Sequence, residues 1–296
     1  MSIVVGGMLG MGDCIYQRPL VRTLNRLFKG IDLVTPWPQF FHDLGVKLYP
    51  YHCGIRTCQA NENRSQQYYA DTRTPRALLG LRYDGIHLQG TYGGPKLTVF
   101  QSMEKLCGAR MGAIAMDLPD FGPSPIEGDY ILVRPVTQRT DWISFSRNPQ
   151  PEYVAQAAAM ARRDGYKLVM VAALTDGVEW LLDPVPEVDV SYMHGELTAE
   201  TLMRIVAGAR GIISPVGWAV PASLAYDVPL LCIVGGQLGN NDPKVLTDPR
   251  LVSNRITWAI PDRPCYCGNV THECDREISD LAGFYARFAA SIESDK

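Results

Sequence analysis

The chain has 296 residues, 46% of them hydrophobic and 20% charged, with a formal net charge of −3. That length predicts two globular domains, the composition excludes a disordered chain, and the slight acidity argues against a protein that works mainly by tracking nucleic-acid phosphates. No apolar run approaches the roughly 18 residues of a membrane span, and the opening Met1-Ser2-Ile3-Val4-Val5-Gly6 carries no basic leader. A cytoplasmic protein without stable membrane insertion is therefore expected. In that compartment Cys14, Cys53, Cys58, Cys107, Cys232, Cys265, Cys267 and Cys274 are expected as reduced thiols.

Apolar runs alternate with helical patterns from the start, the signature of parallel α/β structure. Residues 3–5 read as a buried strand. The glycine-rich turn Gly6-Gly7-Met8-Leu9-Gly10-Met11-Gly12-Asp13 follows, and then Leu20, Val21, Leu24, Leu27 and Phe28 fall on one helical face. Because proline suits only the first turn of a helix, Pro19 predicts a helix beginning near residues 16–18. Residues 31–34 read as a second strand, 85–88 as another, 97–106 as a helix and 112–116 as the last strand of this half. Residues 51–67, with Arg56, Asn61, Asn63 and Arg64, read as extended and irregular.

Pro119, Pro123 and Pro125 then stop both helix and strand, so a hinge is predicted there. The pattern restarts with a strand at 130–133. A helix at 151–164, a strand at 167–172 and a helix around Leu202, Ile205, Val206 and Ala209 with Thr198 as N-cap come next. Strands at 212–213 and 230–234 flank a short helix at 219–226, and residues 275–292 form a terminal helix by pattern. The fold class expected is α/β, with two Rossmann-like domains facing a cleft. Domain boundaries are expected at 1–124 and 125–296.

Several residues invite chemistry. Gly12 lets a ligand approach the backbone at a helix start. Asp13 is either a cleft-facing carboxylate held ionised by the helix dipole or simply an N-cap. In the second half, His194-Gly195-Glu196 is suited to a nucleoside, with glycine admitting a ribose and Glu196 accepting its hydroxyls. Gly236, in the polar loop of residues 235–241, is suited to a sugar or phosphate. Cys265, Cys267, His272 and Cys274, spaced Cys-x-Cys-x4-His-x-Cys, supply four ligands of the type zinc takes, although the first pair is closer than in the usual knuckle and unliganded thiols are the plainer alternative. Cys14, Trp142, Trp180 and Trp218 read first as packing residues.

The run Gly10-Met11-Gly12-Asp13-Cys14-Ile15 with Pro19 and Leu24 resembles the opening of the heptosyltransferases, the family 9 glycosyltransferases. Pro36, residues 129–135, His194-Gly195-Glu196-Leu197-Thr198, Gly211-Ile212-Ile213-Ser214, residues 222–235 and the Cys-rich tail also resemble segments of that family. Divergent members from phages and prophages are the most similar in kind. The resemblance implies the two-domain fold called GT-B, with an N-terminal acceptor domain, a C-terminal nucleotide-sugar domain and a terminal helix crossing back to the first. It also implies a hexosyl- or heptosyl-type transferase that moves a sugar with inversion from a nucleotide-diphosphate donor to an acceptor hydroxyl, without a required cofactor. Asp13 then takes the place of the family's general base. Gly12, Arg139, Arg147, His194, Gly195, Glu196, Gly217, Trp218 and Gly236 become donor-binding candidates, with Arg134 nearby. The family's Asp-Ser-Gly and following His are replaced by Pro215-Val216-Gly217-Trp218, which leaves backbone N–H groups at Gly217 to hold the diphosphate. Three alternatives stand beside this reading: a transferase acting on modified bases of phage DNA through Arg56, Arg64, Arg73 and Arg76, a non-catalytic nucleotide-binding relative, and a nucleotide-sugar epimerase.

Overall fold

The structure is a computed structural model and describes residues 3–51, 66–71, 73–76, 79–81, 97–140, 145–267 and 271–294. The expected strand at 85–88 and the residues Cys53, Cys58, Arg56, Asn61, Asn63, Arg64 and Trp142 lie outside the described residues. The chain divides into two compact units, residues 1–120 with 243–253, and residues 121–242 with 254–296. Among the described residues, no helix is long and apolar enough to cross a membrane.

The first unit holds β1 (Ile3–Gly6), α1 (Met11–Leu27), β2 (Ile31–Val34), β3 (Lys47–Tyr49), β4 (Leu79–Gly80) and α2 (Val99–Cys107). Its four strands run parallel in the order β3-β2-β1-β4. Helix α1 begins at Met11, well before the residues expected from Pro19, so Gly12 and Asp13 lie inside its first turn and Pro19 lies in its interior. Proline there forfeits a backbone bond and costs about 3 kcal/mol. Against that stands a helix buried at Cys14, Ile15, Tyr16, Leu20, Val21 and Leu24, each large apolar side chain contributing on the order of 1.5–3 kcal/mol. Tertiary burial therefore overrides the local penalty. The helix also carries Arg18, fully buried and paired with Asp43 at 2.8 Å and Asp117 at 3.0 Å. Helix α2 closes the unit with a reciprocal cap between Thr98 and Gln101.

The strand expected at 112–116 is reduced to a single parallel bridge, Ile114 with Leu251. Its partner comes from residues 243–253, which open with the short α6 (Pro243–Leu246) and return to the first unit. Tyr16 donates to the Leu246 carbonyl and Thr98 to Asp248 at 2.6 Å.

The second unit contains β5 (Tyr130–Val133), β6 (Thr137–Arg139), α3 (Pro151–Arg163), β7 (Lys167–Val171), β8 (Glu179–Leu181), β9 (Val190–Tyr192), α4 (Ala199–Gly208), β10 (Gly211–Pro215), α5 (Ala219–Tyr226), β11 (Leu230–Ile233), β12 (Ile256–Ala259) and α7 (Leu281–Glu293). Six of these strands form one parallel sheet in the order β12-β11-β10-β5-β7-β9, while β6 and β8 pair antiparallel. Strands buried on both faces explain the continuous apolar runs at 130–133 and 230–233. The core joins Ile131, Val133, Leu168, Ile213 and Leu231 to Val154 of α3 and Phe288 of α7. The terminal helix starts at Leu281, capped by Asp280, six residues later than its pattern suggested. It packs on α3, β11 and β12, all of the second unit. Residues 243–253 group with the first unit.

Candidate functional site

Two strand ends hold most of the candidate residues, one in each unit. In the first, β1 runs into the loop 7–10 and then α1. The loop is pinned by Gly7 N–H to the Val34 carbonyl at 2.9 Å, Trp37 Nε1–H to the Leu9 carbonyl at 2.9 Å, and the Cys14 thiol to the Met8 carbonyl at 3.2 Å. The N-cap is Gly10, which has no side chain to contribute. Asp13 is the third helical residue, and its carboxylate lies against Gly10, so that a Cβ on Gly10 would sit 2.5 Å from Asp13 Oδ2. Asp13 is therefore not the cap. It is a half-buried carboxylate in the first turn, where the helix dipole favours its charge. Cys14 is fully buried, and burial, reinforced by the Asp13 charge and opposed by Thr35, pushes its thiol well up. It packs and stays protonated. One turn beyond Asp13, the buried Gln17 amide has no hydrogen-bond partner in this structure.

In the second unit the strand order has a consequence for ligands. Taken in chain order, β5, β7 and β9 extend the sheet one way and β10, β11 and β12 the other. The switch between these directions falls between β5 and β10, and in open parallel sheets ligands bind outside the carboxyl ends of the strands at that point. Arg134 is the residue immediately after β5, and its backbone N–H bonds to the Ile213 carbonyl of β10 at 2.9 Å. After β10 come Val216, Gly217 and Trp218, then α5, whose first turn includes Val220 N–H to the Gly217 carbonyl at 3.1 Å. The Arg134 guanidinium lies over Gly217. A Cβ there would stand 2.7 Å from Arg134 Nη1. Desolvation lowers the pKa of Arg134, with Arg139 adding to this and Glu179 opposing it. Its guanidinium has no hydrogen-bond partner among the described residues. A cation, a glycine and a helix start thus converge at the switch point, an arrangement suited to an anion.

The other expected donor residues fare differently. Arg139 pairs with the buried Glu179 at 3.7 Å across β6 and β8, and Thr137 also donates to Glu179. The backbone of Arg147 and Ser146 presses on Gly235, where any side chain would collide with it. Gly236 likewise faces the backbone of Asp275 and the Cβ of Cys274, so close packing of protein accounts for that glycine without a ligand. Gly195 has φ +78 and is buried, which explains it as a turn residue. His194 and Glu196 are exposed. Glu196 accepts the N–H groups of Met193 at 3.2 Å and His194 at 2.8 Å. Desolvation pushes the Glu196 carboxyl up, but the N–H groups of its own residue, His194 and Met193 outweigh it and hold the pKa low. Trp218 is half-buried at the N-cap of α5, and Trp180 is largely exposed. Of the arginines offered for a nucleic-acid groove, Arg73 is paired with Asp71 at 3.0 Å and Arg76 is exposed.

Cys265, Cys267, His272 and Cys274 do converge, with their ligand atoms all within 4.8 Å of one another. Arg134 is the residue that sequence reasoning underweighted. Its signal was its place immediately after a buried strand, legible only once β10 is known to lie beside β5.

No family model and no curated protein matches the chain. Solved structures do. The dodecameric iron-containing heptosyltransferase TibC of enterotoxigenic E. coli, in complex with ADP-D-beta-D-heptose, superposes with a TM-score of 0.62 at 14% identity over 99% of this chain and 78% of that one. This is the fold of the heptosyltransferases. E. coli ADP-heptose LPS heptosyltransferase II matches with a TM-score of 0.58 at 14% identity, covering 100% of this chain and 99% of its own. A family 9 glycosyltransferase from Veillonella parvula matches with 0.56 at 11%, covering 99% and 97%. The heptosyltransferase fold, two α/β units with parallel sheets, is thus carried by the whole chain, as the sequence resemblance implied.

Proposed function

We propose that the chain is a glycosyltransferase that takes a sugar from a nucleotide-diphosphate donor and passes it, with inversion, to an acceptor hydroxyl. The observation that carries this reading is Arg134 over Gly217 at the switch point of the second unit's sheet. The Arg134 guanidinium, half-buried beside the start of α5 and without a hydrogen-bond partner among the described residues, is placed to receive an anion. A diphosphate has the charge and the oxygen count to fill that place. The solved relatives include an ADP-heptose complex and an ADP-heptose-dependent enzyme, which makes ADP-heptose the first donor to try.

In this reading Asp13 of the first unit accepts the proton of the attacking hydroxyl. The hydroxyl oxygen forms its bond to the anomeric carbon as the bond to the diphosphate breaks, and the leaving charge is taken up by Arg134 and the N–H groups that open α5. No step requires a metal. The Asp-Ser-Gly and His of the resembling family are absent, and Arg134 with Gly217 supplies the anion contact in their place.

The test is binding followed by turnover. ADP-heptose, GDP- and UDP-sugars are screened by thermal shift, since a ligand that binds the native state alone raises the melting temperature. Donors that bind are assayed for hydrolysis and for transfer to saccharide acceptors. Donor binding lost in Arg134→Ala supports the site. Binding that is unchanged in that variant overturns it, and binding without turnover on any acceptor turns the reading to a nucleotide-binding protein that has lost its chemistry.

A further inference from the structure

Residues 265–267 and 272–274 of the second unit bring three thiols and one imidazole together. Cys274 is buried, Cys265 and Cys267 are partly buried, and His272 is exposed. None of the three cysteines is joined in a disulfide. Cys267 Sγ lies 3.5 Å from Cys274 Sγ, and His272 Nδ1 lies 3.3 Å from Cys267 Sγ, 3.3 Å from Cys274 Sγ and 3.7 Å from Cys265 Sγ. One ring nitrogen faces all three sulfurs.

These separations have a size that chemistry recognises. Zinc bound tetrahedrally takes thiolate sulfur at about 2.3 Å and imidazole nitrogen at about 2.0–2.1 Å, so its ligand atoms stand apart by about 3.8 Å for two sulfurs and about 3.6 Å for sulfur and nitrogen. The four separations above are close to that spacing, and all the ligand atoms lie within 4.8 Å of one another. Three neutral thiols around an imidazole have little reason to gather so tightly, because a thiol is a weak donor and a weak acceptor. They gain one when a shared cation replaces their protons.

The backbone that presents the ligands is fixed by bonds outside the cluster. Ser146, buried, donates its hydroxyl to the His272 carbonyl and accepts the Cys274 N–H at 2.9 Å. Cys265 N–H bonds to the Gly236 carbonyl at 2.8 Å, Leu238 N–H to the Cys265 carbonyl at 2.8 Å, and Gln237 Nε2 to the Cys267 carbonyl at 3.1 Å. Such outer bonds orient ligands in metal sites. They also show what the cluster holds: the loop after β11, residues 236–238, and the loop around Ser146 that follows β6.

We propose that Cys265, Cys267, His272 and Cys274 bind one tetrahedral metal ion, zinc by its ligand set, as a structural clip. Four protein ligands leave no open position for a substrate, so the ion ties Cys265 and Cys267 to His272 and Cys274 and clamps them to the loops of Ser146 and Gln237. Those loops lie on the carboxyl-end side of the sheet that also carries Arg134 and Gly217. The proposal stands independently of the sugar transfer.

The experiment reads metal rather than activity. Protein purified without chelator is analysed for metals and is expected to hold about one zinc per chain. Iron at the same stoichiometry would keep the site and overturn its assignment to zinc. Cobalt(II) exchanged into the full-length protein is expected to give the strong visible bands of a tetrahedral ion and near-ultraviolet thiolate charge transfer. Cys265→Ser and Cys274→Ser should lose both signatures, whereas His272→Cys should keep a four-sulfur form. Where a variant fails to fold, the cobalt spectrum of the unaltered chain decides. Protein that neither retains metal nor gives the tetrahedral spectrum, or that shows a Cys267–Cys274 disulfide by mass mapping, overturns the proposal.

Discussion

Arg250 holds Glu104, 146 residues earlier in the chain, through two hydrogen bonds of 2.9 and 3.1 Å. The same guanidinium binds Asp248 at 2.8 Å, and Glu104 accepts the Met111 N–H at 2.6 Å. Two carboxylates that are nearly or fully buried share one cation. Removing one partner of a buried pair strands the other's charge, at a cost of 3–5 kcal/mol when both are enclosed. Arg250 is partly exposed, so Arg250→Ala is expected to cost about 2–3 kcal/mol. Urea unfolding measures it, and a loss within error would show the network to be superficial.

Two ion-paired carboxylates, Asp248 of this network and Asp43 beside Arg18, set an acid limit. Desolvation pushes Asp248 and Asp43 up, but Arg250 with Thr98, and Arg18, respectively, outweigh it and leave both folded pKa values below the usual 3.8. A depressed folded pKa contributes stability that is present above the unfolded value and lost as pH falls through the folded one. The melting temperature should therefore be flat from neutral pH down to about 5 and fall steeply below 4. Asp43→Asn should flatten the fall while lowering the plateau. A melting temperature insensitive to pH between 5 and 3 would contradict the ion-pair reading.

Arg134 separates folding from binding. Because the fold desolvates its guanidinium, Arg134→Leu is expected to leave the melting temperature equal or higher. A charged hydrogen bond contributes about 1.5–3 kcal/mol, so donor affinity should fall at least about tenfold. Titration calorimetry with the nucleoside diphosphate reads this directly. A variant that unfolds but binds normally when folded would make Arg134 a structural residue.

Asp13 lies at the third position of α1, and Gly10 is the cap. Asp13→Asn should thus cost less than about 1 kcal/mol, the size of a carboxylate–dipole term. Donor hydrolysis or transfer should slow by about 10²–10⁴-fold, the range of general-base assistance. Unchanged turnover in Asp13→Asn would remove the base from the mechanism.

Two glycines should behave oppositely. At Gly236 an added Cβ meets the Asp275 backbone, which cannot swing aside, whereas at Gly217 it meets the far end of Arg134. Gly236→Ala is expected to lower the melting temperature sharply. Gly217→Ala should fold and bind donor weakly. The reverse order would mean that the contacts at the two glycines are misassigned.

Much of the fold was legible because parallel strands buried on both faces write themselves as short apolar runs. The limits of β2 and β5 follow from the sequence for that reason. Pro19 misled because a local rule about backbone bonds cannot weigh the buried face of α1. The bridge at Ile114 read as a strand because its apolar run is real, but its partner lies far along the chain. The short strand β9 has only exposed or half-buried residues and no apolar run to betray it, and β12 is half-buried except at Ala259. In the candidate site, Asp13 and Gly217 were visible as helix-start residues. Arg134 outranks Arg139 only once the adjacency of β5 and β10 is known, which is a property of topology. The Cys-x-Cys-x4-His-x-Cys spacing named four ligands, but only the hydrogen bonds of Ser146 and Gln237 explain why their atoms meet.

The return of residues 243–253 to the first unit bears on how the protein is made. Asp248 and Arg250 complete the polar network around Thr98 and Glu104, yet the ribosome supplies them only after nearly all of the second unit's parallel sheet except β12. Domains usually fold as they emerge, the N-terminal one first. Here the N-terminal unit must wait, with Glu104 lacking its guanidinium partner, until synthesis has passed residue 253. A fragment ending at residue 120 should accordingly emerge as a loosely packed intermediate, and the nascent chain is exposed to chaperones or to aggregation for most of its translation.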